Sequence, residues 1–190
     1  MKKTLAIIFL SLYLFGLTSC MPKEHGPGYE SALSYVGLAN DWTIYDDALN
    51  NELLQRGRNA HLPIFKLDTP DDLEQFKSKY ENTLAMNRDY DEVLSFEGAL
   101  AKSRWDEADF FNEHSLLVVY VSATSGSYRF FLHEVEVKDS SVCVYVERED
   151  IPEDKCLTMD MAGWCILVAI KDEEIRGQGS FDAILNNFEK

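Results

Sequence analysis

The sequence predicts an α+β fold, with N-terminal helices packed on a mainly antiparallel C-terminal β-sheet. Three observations predict it. Apolar residues recur at helical spacing before residue 115, as in Tyr45, Leu49, Leu53, Leu54 and again in Leu73, Phe76, Tyr80. From Ser115 onward the period changes to that of a sheet, with β-branched runs at 116–121, 142–146 and 164–170. The helical and extended patterns occupy separate parts of the chain instead of alternating, which argues against a parallel doubly wound sheet.

Met21 to about Asn40 holds Pro22, Gly26, Pro27, Gly28 and Gly37 with little periodicity, which predicts a tether. A helix is expected over Tyr45–Arg56, with Asp46 and Asp47 in its first turn, Arg56 in its last and Gly57 as its stop. His61–Leu67 reads as a short strand, and Pro63 places it at a sheet edge. The next helix has the clearest start: Asp68 or Thr69 as cap, Pro70 in the first turn, and Asp71 and Asp72 at the positive end. It should reach from Thr69 to about Asn82.

Val93, Leu94 and Phe96 suit a strand, and Phe96–Lys102 suits a helical turn interrupted by Gly98. Trp105–His114 reads as a short helix whose Phe110 and Phe111 plug a core. The unbroken apolar run Leu116–Val121 predicts a strand covered on both faces. Ser122–Ser127 is then a small polar turn, with Gly126 free to take a positive φ. In Tyr128–Val137 the apolar phase slips by one residue, which predicts a bulge near His133-Glu134. After a turn at Lys138–Ser141, Val142, Val144 and Val146 form one strand face and Cys143 and Tyr145 the other. Trp164, Ile166, Val168 and Ile170 define the last strong strand, and Phe181–Phe188 reads as a closing helix. Together these elements predict one α+β domain over 41–190, its sheet core at about 115–170 and built of three or four consecutive antiparallel strands.

Ahead of the domain, Lys2 and Lys3 give a basic start, and thirteen residues from Leu5 to Leu17 are dominated by Leu, Ile, Phe and Ala. That pattern describes a secretory signal, well short of the roughly 20 residues that a spanning helix needs. The stretch Leu17-Thr18-Ser19-Cys20 that ends it resembles the lipobox of bacterial lipoproteins. The resemblance implies a signal peptide over 1–19 and a mature chain that begins at Cys20. It also implies a diacylglycerol thioether and palmitate-type acylation there, with a tether over 20–40. The expected location is the bacterial cell membrane, lipid-anchored and facing outside the cytoplasm.

The chain is 46% hydrophobic and 12% aromatic, as a globular protein is, and its formal charge is −15. Loss of Lys2 and Lys3 with the signal leaves 16 basic against 33 acidic residues, a charge of −17. Such a surface repels phosphate backbones, which excludes nucleic acid as an expected partner. It also repels anionic headgroups, so the folded body should stand off the bilayer. With Cys20 lipidated, Cys143, Cys156 and Cys165 remain, and two readings fit: buried free thiols, or one disulfide and one thiol. No C-x-x-C marks a redox pair or a zinc site.

The reactive candidates fail on residue type and spacing. His133-Glu134 starts like a metalloprotease motif, but Val137 stands where the second His belongs. No serine sits in a G-x-S-x-G elbow. His133 can approach Cys143 only across neighbouring strands, where a structural pair is the ordinary reading. Asn87, Asp89 and Asp91 are spaced like the start of a calcium loop, yet Glu92 replaces its glycine and Gly98 its last glutamate. The acidic connection Glu147–Lys155 reads as a solvated loop. His25, His61, His114 and His133 are too scattered for a metal site. Trp42, Trp105 and Trp164 offer a stacking surface for sugar or peptide on one reading and core packing on the other. No catalytic, cofactor-binding or metal residue is expected.

Phe110-Phe111, Ser115–Val121, Ser125-Gly126-Ser127-Tyr128 and Asp160-Met161-Ala162-Gly163-Trp164 resemble a group of uncharacterised bacterial lipoproteins with a carboxy-terminal sheet domain. More distantly, they are similar to the C-terminal domain of protease-complex subunits of the PrcB type. The similarity covers roughly Trp105 to Ile175 through turn and core residues. The double glycine of the PrcB-type first hairpin turn is reduced here to Gly126. It implies a fold and a location, with no activity attached. The expected function is a non-catalytic cell-surface lipoprotein acting as a binding or accessory module, with an envelope protein or peptide as partner. The alternatives are an accessory subunit of a surface protease, or an envelope hydrolase whose site follows no recognised motif.

Overall fold

Two β-sheets face each other, and helices cover the far side of the larger one. The structure is a computed structural model, and it describes residues 28–38, 61–81, 83–123, 125–152, 156–158 and 162–186. Cys20, Trp42 and the helix expected over Tyr45–Arg56 lie outside the described residues.

The larger sheet has the order β1 (Tyr29–Tyr35), β8 (Ala162–Lys171), β5 (His114–Ala123), β3 (Ile64–Leu67), and every pairing in it is antiparallel. The smaller sheet is β6 (Phe130–Lys138), β7 (Ser141–Arg148) and β9 (Ser180–Asn186). β6 and β7 pair antiparallel, whereas β7 and β9 pair parallel. A further two-residue pair joins β2 (Gly37–Leu38) to β4 (Leu84–Ala85).

Alternation along the central strands builds two cores. Leu117, Val119 and Val121 of β5 meet Trp164, Ile166, Val168 and Ile170 of β8 in the layer between the sheets. Val135, Val142, Val144, Val146, Ala183 and Leu185 close that layer from the smaller sheet. Leu116, Val118 and Tyr120, with Cys165, Leu167 and Ala169, point the other way. They meet α1 (Pro70–Tyr80) through Leu73, Phe76 and Tyr80, and α2 (Phe96–Ser103) through Phe96, Ala99 and Leu100. β8 is buried from Ala162 to Ile170, so it serves both cores at once.

Several elements follow their sequence signals closely. The Thr69 side chain caps α1 by accepting from the Asp72 N–H at 3.1 Å, with Pro70 in the first turn. Ser95 caps α2 in the same way through Gly98. β3 is an edge strand, as Pro63 requires, and the β6–β7 register shifts between Leu132 and Glu134, where the bulge was expected.

Four expectations are corrected. Tyr29–Tyr35, assigned to the tether of 20–40, is β1 and pairs with β8 from Tyr29↔Ile170 to Tyr35↔Trp164. Its polar sequence suits a sheet edge with one strand neighbour among the described residues, and that strand lies far along the chain. The closing helix over Phe181–Phe188 is instead β9: Phe181, Ala183 and Leu185 turn inward while Asp182 and Ile184 face out, a period of two that the short run left open. The turn after β5 does not form a hairpin, because β5 and β6 belong to different sheets. Trp105–His114 forms only a 3-10 turn at Phe110–Asn112, although Trp105 and Phe111 are buried in the core. The α+β class therefore holds in a strand-rich form, with helices on one face of one sheet.

Candidate functional site

The residues singled out for chemistry are held apart. On the outer face of the smaller sheet, His133 Nδ1 lies 3.4 Å from Glu147 Oε1. Cys143 sits in a different cross-strand row, between Glu136 and Asp182. Burial first, then the Asp182 and Glu136 carboxylates, push the Cys143 thiol above its ordinary range, opposite to what a nucleophile needs. His61 Nδ1 is taken by Asp182 at 2.8 Å. Cys143, Cys156 and Cys165 are free, one half-buried, one exposed and one buried.

The acidic spacing of 87–91 is spent on one backbone N–H and one arginine. Asp89 Oδ1 accepts from the Ser95 N–H at 2.7 Å, and Asp91, at φ 55°, faces Arg129 at 3.3 Å. Among the described residues no three His, Cys, Asp or Glu side chains are grouped to hold a metal ion. Trp105 and Trp164 are core residues. Trp164 packs edge-on to Tyr35 and Tyr90, and the Arg129 guanidinium lies 4.8 Å from its ring centre, so no stacking face is left for a sugar.

A polar knot invisible in the sequence ties three elements together. Ser115 Oγ, on buried β5, lies 2.7 Å from both Asp68 Oδ1 and Asp172 Oδ1. It fastens the start of α1 to the turn after β8 and carries no reactive partner.

A groove of about 400 Å³ lies between β3 and α1. Its lining includes Phe65 of β3 with Phe76 and Tyr80 of α1, whose rings pack with centroids 5.0–5.6 Å apart. Exposed Lys66, Gln75 and Lys79 line it as well. Two features there are unusual. Tyr80 is only 4% exposed, and its hydroxyl is buried with no hydrogen-bond partner among the described residues. The groove also runs beside the free edge of β3, the last strand in its sheet among the described residues. A buried hydroxyl without a partner costs about 1–3 kcal/mol.

Sequence reading found the edge strand and the helix that make this groove, since Pro63 and the Thr69 cap mark both. The groove itself is not legible there, because nothing local says that β5 takes one side of β3 and no described strand pairs with the other along Ile64–Leu67.

No family model, curated protein or solved structure matches the chain.

Proposed function

We propose that this chain is a non-catalytic, lipid-anchored binding module at the outer face of a bacterial membrane, holding an envelope protein or peptide. The observation that carries the binding reading is the groove beside β3: an aromatic lining and an adjoining sheet edge. Those are contacts for recognition, and none is a nucleophile or a base.

The anchor supports this reading through the lipobox and through reach. Nine residue steps separate Cys20 from Tyr29, the start of β1. At up to 3.6 Å per residue the link spans at most about 32 Å. The β1 start therefore stays near the bilayer. By register, Leu67 is level with Leu116, Ala169 and Glu30, so one end of the groove lies at the same level of the sheet as the start of β1. A partner that is itself membrane-bound is within reach there.

Two acyl chains, at roughly 0.8 kcal/mol per buried methylene, hold an acidic body that the headgroups repel. The Cys20→Ala variant is expected to remain unprocessed or to leave the detergent-extracted membrane fraction. Fractionation that finds it cleaved and retained like the parent would defeat the anchor.

A further inference from the structure

We draw no further inference here: the strongest candidate, the side-chain cluster in which Ser115 of β5 meets Asp68 at the start of α1 and Asp172 in the turn after β8, is held by hydrogen bonds within itself and by Lys66 on Asp68, and nothing among the described residues points to a ligand for it.

Discussion

Gly163 shows how closely single residues are constrained in this fold. It opens β8 where the chain leaving β1 passes over it, and its carbonyl accepts from the Val36 N–H at 3.0 Å. A Cβ at this position would stand 2.6 Å from Val36 O and 3.0 Å from the Tyr120 hydroxyl. The first contact is with backbone and cannot swing aside. The Tyr120 phenol is itself buried, and burial raises its pKa, so the pocket has no solvent to yield. Gly163→Ala is therefore expected to cost about 1–3 kcal/mol by overpacking, measured as a lowered midpoint of urea unfolding. An unchanged midpoint would mean that Val36 moves freely. From sequence, Gly163 reads as one more residue of a turn-and-strand signature; the close approach that demands it comes from a residue 127 positions away.

At the scale of elements, β1 and β9 are the informative pair. Both lie at sheet edges: β1, with one strand neighbour, needs little apolar character, and the short apolar run of β9 fits a helix as well as a strand. The Tyr35 N–H donates to Leu94 O, away from β8, so by alternation Ala32 and Ser34 turn their ladder groups toward β8. The Ser34 hydroxyl adds a bond to Cys165 O at 3.2 Å. Ala32→Pro removes the donor facing Leu167 and strands a carbonyl in the core. The expected loss is about 1–3 kcal/mol in thermal or urea unfolding. A neutral result would return 29–35 to the status of a tether. α1 stands at the other extreme. Its cap, its Pro at the first turn, its acidic start and its Lys77 and Lys79 near the end all lie within eleven consecutive residues, so the whole element was legible.

For the molecule as a whole, β8 decides the cooperativity. Ile166 faces the layer between the sheets and Leu167 the helical layer, and both are about 1% exposed or less. Ile166→Ala and Leu167→Ala should each cost about 2–5 kcal/mol, and each should lower one shared transition followed by both near-UV and far-UV circular dichroism. Two separated transitions would show that the helical layer and the sandwich are independent. The same strand explains why the candidate site escaped the sequence. With β8 and β5 at the centre, β3 is driven to the periphery, and its outer edge meets α1 at the groove.

What the sequence determined by itself is local or compositional: the signal-like start with Cys20, the acidic charge, the capped α1, the bulge in β6 and the two-faced burial of β5. Each depends on residues within a turn or two of one another, where spacing alone sets geometry. Tertiary structure decided the rest: the division of the strands between two sheets, the parallel seat of β9, the recruitment of β1, the Ser115 knot and the place of β3 at the end of its sheet. Those depend on which partner a strand finds across a hundred residues, and an alternating pattern states that a face will be buried without stating against what.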